Sequence, residues 1–150
     1  LPEQDEPAIR AVDGVHAALF DDAVRAAFFA ERWRIAPDSN RMGYRLFGPH
    51  LALAHPTEIL SQPTCLGTVQ VPPGGQPIVL MADHQTTGGY PRIAEVIAAD
   101  VPLAAQLRPG TSLRFARVTL AEADAAREAL CKRVEELVAR ILWERGDESD

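Results

Sequence analysis

The chain has 150 residues, 47% of them hydrophobic, enough for one domain to close a continuous core without a metal or disulfide staple. Acids outnumber bases 21 to 15, a net charge of −6, which argues against a nucleic-acid partner because a phosphate-binding face needs a surplus of Lys and Arg. No apolar run approaches the roughly 18 residues of a membrane span, and the opening LPEQDEP has neither half of a signal peptide. Cys65 and Cys131 have no CxxC spacing and read as reduced thiols of a cytoplasmic protein, Cys131 on the apolar face of a helix that buries it. A start at Leu1 rather than Met reads as a piece of something longer.

In chain order, both ends are rich in acids with Pro, Gly or Ser and are expected to be solvated. A short strand is expected at 9–12, then an amphipathic helix that opens at Asp21, carries Val24, Ala27 and Phe28 at helical spacing, and ends near Glu31. From Trp33 onward the pattern changes to short apolar runs at 33–35, 44–47, 51–54, 68–71, 78–81, 93–98 and 113–118, with Pro or Gly in nearly every gap. Short strands without intervening helices predict a mainly β fold with flanking helices, a barrel or sandwich rather than a doubly wound sheet. Residues 101–107 form a helical turn or two before the Pro109–Gly110 turn. Thr119 and Glu122 make a capping box, and Leu130, Val134, Leu137, Val138, Ile141 and Leu142 then form one apolar stripe along a helix over 120–145. Trp33 and Trp143 are read as packing aromatics.

No metal site is expected, because His16, His50, His55 and His84 are scattered and neither cysteine pairs with them. There is no GxSxG elbow, and neither PPGG at 72–75 nor TTGG at 86–89 continues into a Walker-type phosphate loop. The segment that stands out is 83–91, where Asp83, His84, Gln85, Thr86 and Thr87 precede Gly88, Gly89 and Tyr90 directly after an apolar strand. Such a loop can bring backbone N–H groups and hydroxyls against a carboxylate, phosphate or amide. The alternative is a long hairpin connection in which Asp83 caps a turn and the glycines supply positive φ. A second candidate is 38–45, where Arg41 or Arg45 can clamp an anion beside Tyr44; alternation puts Arg45 and Tyr44 on opposite faces, so at most one of those two enters a shared pocket. Gln70 either faces water or points into the barrel interior as part of a polar pocket.

Taken together, RMGYRL at 41–46, ILS at 59–61, GTVQVPPGGQPIVLMAD at 67–83 and QTTGGYPRIAEVIAAD at 85–100 closely resemble the C-terminal half of the KipA-like family, also called allophanate hydrolase subunit 2 or the C subunit of 5-oxoprolinase. The resemblance runs from about Ile9 to Leu120 and rests on the joint occurrence of the motifs. It implies a cyclophilin-like β-barrel as a single domain over 1–150, with an upstream half outside this chain. It implies KipI-like and LamB/YcsF-like partner proteins, the B and A components of a 5-oxoprolinase, with ATP-driven cleavage of 5-oxoproline to glutamate by the assembly. The related alternative is a carboxyltransferase domain of the urea carboxylase type, working with biotin; a third is a regulatory protein that antagonises a KipI-like kinase inhibitor. The site expected on this basis comprises Arg41, Tyr44, Gln70, Asp83, Gln85, Thr86, Thr87, Gly88, Gly89 and Tyr90, gathered around a small amide-type substrate. Three places depart from the usual family pattern: His84 where Arg is usual, Gln62 where an acid is usual, and the segment 13–16.

Overall fold

A computed structural model describes residues 6–146. The strands are β1 (Ala8–Asp13), β2 (Trp33–Ile35), β3 (Gly43–Phe47), β4 (Gln62–Pro63), β5 (Thr68–Gln70), β6 (Ile78–Leu80), β7 (Thr87–Gly88), β8 (Arg92–Val96) and β9 (Ser112–Arg117). The helices are α1 (Asp22–Ala30), α2 (Val101–Ala105) and α3 (Leu120–Gly146), with a 3-10 turn at Ala17–Leu19. Seven strands close a barrel in the order β1-β8-β5-β6-β3-β2-β9, and β4 with β7 forms a separate two-stranded ribbon. The barrel shuts where β1 pairs in parallel with β9 and antiparallel with β8. The expected mainly β fold with flanking helices is therefore what the chain adopts.

Alternation along the strands fills the barrel. Ile9, Ala11, Ile35, Leu46, Val69, Val79, Leu113 and Phe115 point inward and are buried. Phe28 on α1 plugs the end beside β9, stacked on Phe115 at 4.6 Å and against Trp33 at 5.8 Å. Trp33, expected in the core, is fully buried and its indole N–H donates to the Phe28 carbonyl at 2.9 Å, so the polar tip of the ring is satisfied. Burial of each such aromatic contributes about 2–3 kcal/mol.

Several expectations need correction. Residues 51–54 are not a strand: apart from the single bridge of Leu53 to Phe20, their donors go to loops, Leu51 N–H to the Gly75 carbonyl and Ala54 N–H to that of Leu19. The end segments lie almost wholly outside the described residues, but Glu6 turns inward, where it pairs with Arg32 and with Arg114. The capping box forms as expected, with Thr119 N–H on Glu122 Oε2 at 2.7 Å and Glu122 N–H on Thr119 Oγ1 at 3.2 Å. Beyond it, however, the stripe of α3 covers no core: Val134, Leu137, Val138, Ile141 and Leu142 are exposed, as are Cys131 and Trp143. Amphipathic spacing states that a helix has an apolar face, not that the same domain covers it. Cys65 and Cys131 are both free thiols. Among the described residues no helix is long and apolar enough to cross a membrane.

One ion pair ties the barrel's closing strand to its surroundings. Asp100, buried before α2, accepts from Arg10 Nη2 at 2.6 Å, Nε at 3.0 Å and backbone N–H at 2.8 Å. Burial alone raises the carboxyl's pKa, but the three hydrogen bonds outweigh it and hold the group below its ordinary value. A depressed carboxyl stabilises the fold above its unfolded pKa and loses that contribution as pH falls through the folded value. We predict that Asp100→Asn lowers stability to urea by about 1–2 kcal/mol at neutral pH. The gap to the native chain should shrink from about pH 4 downward; a gap independent of pH would refute the assignment.

Candidate functional site

The same alternation that fills the core leaves a second set of side chains on the outer face of the barrel wall. Across β3, β6 and β5, Tyr44, Val79 and Val69 face inward, whereas Arg45 stands opposite Ile78 and Ile78 opposite Gln70. A one-residue irregularity in β8 then brings Arg92, not Ile93, across from Gln70. Ile93 and Ala94 both turn into the core as a result, and Arg92 is turned out. Arg45, Ile78, Gln70 and Arg92 thus form one row over four strands.

The β4–β7 ribbon lies over this row. Arg92 Nη2 donates to Gln62 Oε1 at 3.2 Å and to the Pro63 carbonyl at 2.8 Å, pinning β4 to the wall. The ribbon is tied together by Thr64, whose N–H donates to the Thr86 carbonyl at 2.9 Å and whose Oγ1 donates to the Gln85 carbonyl at 2.5 Å. His84 donates its Nδ1–H to the same Gln85 carbonyl at 2.6 Å. A Cβ on Gly88 would sit 2.6 Å from Gln70 Nε2, and one on Gly89 would sit 3.1 Å from the Ile59 carbonyl. Neither glycine has positive φ, so both serve close approach, not the turn considered for them.

Between ribbon and wall is a cavity of about 620 Å³, with Gln70, Ile78, Leu80 and Arg45 on the wall side and Ser61, Thr64, Gln85, Thr87, Gly88, Gly89 and Tyr90 on the other. Gln70 is only 6% exposed, and its Nε2 has no partner among the described residues. An orphaned buried amide donor costs on the order of 1–3 kcal/mol, which a carbonyl or carboxylate oxygen in the cavity would recover. Beside it Arg92 is 8% exposed and hydrogen-bonded to neutral acceptors, with its Nε unsatisfied. Glu95, on the same outer face, accepts from Thr68 Oγ1 at 2.6 Å; burial pushes its carboxyl upward against that hydrogen bond and the charge of Arg92.

Six of the ten residues expected at the site line the cavity: Gln70, Gln85, Thr87, Gly88, Gly89 and Tyr90. Four do not. Arg41 stands in solvent paired with Asp83 at 3.1 Å, Tyr44 faces the core side with its hydroxyl on the Ala105 and Leu107 carbonyls, and Thr86 is exposed on the ribbon. Of the two arginines weighed, Arg45 is the one in the wall, on the face opposite Tyr44 as alternation requires. Gln70 does not point into the barrel interior; it lies on the outer face and is buried by the ribbon instead. Arg92, missed from the sequence, carried one signal: a charged side chain inside the apolar run that follows Pro91. Its backbone N–H donates to His16 Nδ1 at 3.2 Å, which ties the segment 13–16 to this wall.

Residues 1–117 match the family described as carboxyltransferase domain, subdomain A and B. The chain is 46% identical over 133 residues to the C subunit of 5-oxoprolinase from Escherichia coli, covering 89% of this chain and 43% of that protein. It is 47% identical over 115 residues to the corresponding C subunit of Haemophilus influenzae, covering 77% of this chain and 37% of the relative. The crystal structure of the K. lactis urea amidolyase superposes with a TM-score of 0.81 at 26% identity, covering 87% of this chain and 8% of that one. This chain belongs to the carboxyltransferase-domain family, and it spans less than half the length of the curated relatives it matches.

His16 provides a check on the geometry of this wall. As the acceptor from Arg92 N–H, its Nδ1 must be unprotonated, and burial together with the Arg92 charge lowers its pKa. A histidine with a depressed folded pKa contributes stability that is lost as pH falls below its ordinary value of about 6.5. Histidine NMR titration should give His16 a midpoint below that value, with Nε2 as the protonated nitrogen at neutral pH; a midpoint above it would contradict the arrangement.

Proposed function

We propose that the chain supplies the amide-recognising cleft of a 5-oxoprolinase C subunit, acting within an assembly that opens 5-oxoproline to glutamate at the expense of ATP. The observation that carries this is the Gln70 Nε2, unpartnered among the described residues, on the wall of a cavity whose lining also includes Ser61, Thr64, Gln85 and Thr87 beside apolar Ile78 and Leu80. A lactam carbonyl meeting that donor is oriented and polarised by groups already held in place, which is how fixed dipoles assist attack on an unreactive amide. The identity of 46–47% to two proteins of that name supports the choice of reaction. A KipI-like protein and a LamB/YcsF-like protein, the B and A components of such an assembly, are the proposed partners, in the cytoplasm. ATP is assigned to the assembly as a whole, and any contact with this chain would use a geometry other than a Walker-type loop.

The match to a carboxyltransferase domain favours a second reading, transfer of a carboxyl group from biotin to an amide-type acceptor. The cavity's donors also suit the ureido carbonyl of biotin, with Gln70 the residue that would hold it. Dependence of activity on a biotinylated carrier distinguishes the two.

The test is turnover of ATP and 5-oxoproline by the chain combined with its upstream half and both partner proteins. Gln70→Leu should reduce kcat/KM by at least about tenfold, since it removes a hydrogen bond to the reacting carbonyl. Thr86→Val, outside the cavity, should leave turnover within about twofold of native. Equal effects of the two substitutions would overturn the site, and activity found only with a biotinylated carrier would move the assignment to carboxyl transfer.

A further inference from the structure

The row across the outer wall has a polarity that the amide-binding reading leaves unused. Gln70, at the covered end, is buried beneath Gly88 with its Nε2 unpartnered. Arg45, at the open end, lines the same cavity and keeps about 63% of its side chain exposed. Both are register partners of Ile78, so they stand two strands apart, roughly 10 Å between backbones, with their side chains on one face. The floor between them is the apolar side chain of Ile78. Asp38, which lines the same cavity, stands 3.7 Å from Arg45 and is itself 69% exposed, a loose contact that an entering carboxylate has to displace.

We propose that Arg45 is a specificity-determining residue of this cavity: it binds an anionic group at the mouth while Gln70 holds a carbonyl oxygen at the covered end. The inference rests on the amide-cleft reading and adds to it which side chain reads the ligand's charge and in which direction the ligand lies. A guanidinium at a half-open mouth can pair with a carboxylate through two N–H groups, and the apolar floor accepts the carbon skeleton that joins the two polar ends. Arg41 cannot share this role, because it is paired with Asp83 away from the cavity. Gly88 sets the clearance: a methyl group there would meet the Gln70 amide at 2.6 Å and displace it from the carbonyl.

The experiment compares two lactams by amide NMR titration of the whole chain: 5-oxoproline, which bears a carboxylate, and 2-pyrrolidinone, the same ring without it. The native chain should bind 5-oxoproline about tenfold more tightly. Arg45→Gln should bring the two ligands to the same affinity, Arg45→Lys should keep part of the preference, and Gly88→Ala should weaken both lactams alike. A preference that survives in Arg45→Gln overturns the assignment of Arg45, and lactam binding unchanged in Gly88→Ala overturns that of Gln70. Equal binding of both ligands by the native chain overturns the charge-reading role and leaves the amide cleft standing, whereas no binding of either overturns both.

Discussion

A polar side chain on the outer face of a barrel costs nothing while water reaches it, and it needs a protein or ligand partner once something covers it. Much of the cavity's chemistry follows from that change of condition. The β4–β7 ribbon covers a stretch of wall carrying Thr68, Gln70, Arg92 and Glu95. Thr68 and Glu95 answer each other, and Arg92 is answered by the ribbon through Gln62 and Pro63. Gln70 alone of the wall residues lining the cavity keeps a buried donor unpaired. An amide donor buried without a protein partner costs stability, and a ligand oxygen in the cavity would recover that cost.

Two backbone features make this arrangement possible, and each acts at a distance from the cavity itself. The irregularity in β8 lets two consecutive residues, Ile93 and Ala94, fill the core, and so turns Arg92 outward to anchor the ribbon. The absence of a side chain at Gly88 lets the ribbon descend onto Gln70. Without the first the ribbon would lose its buried anchor, and without the second the Gln70 amide would be pushed from its place under the ribbon. Both positions fall in the motif 85–100, where the spacing of glycine, proline and arginine is thus explained by how one short ribbon is held against one wall.

The barrel strands were legible because each has one face in the core, so a run of apolar residues between Pro and Gly marks it, whereas β4 and β7, with no buried residue, were not anticipated. Residues 51–54 show the same apolar signal for another reason: Leu51 is buried as a loop residue, and burial of a single anchor imitates a strand. The site was half legible. Residues on the ribbon are consecutive in sequence and could be read as a group, whereas the wall residues Arg45, Gln70 and Arg92 come from three strands and meet only through register. Alternation placed Arg45 and Tyr44 on opposite faces, but which face is covered depends on the ribbon, which no local pattern announces. The same limit applies to α3, where the spacing of Leu130, Val134, Leu137 and Ile141 describes the helix faithfully and is silent about what it packs against.

The wall also constrains how the cavity can respond to pH. Burial acts first on both His16 and Glu95, and the charge of Arg92 bears on each of them as well. Burial and that charge lower the pKa of His16, while Glu95 is pushed toward its neutral form by burial and back toward its charged form by Thr68 and the same cation. Acidification therefore acts on the two groups in the same sense: it adds positive charge beside Arg92 at His16 and removes a compensating negative charge at Glu95. Both changes raise the net positive charge under the ribbon, and the ribbon's anchor on neutral Gln62 offers nothing to offset it. An acid at position 62 would place a compensating charge beside Arg92, which the amide of Gln62 does not.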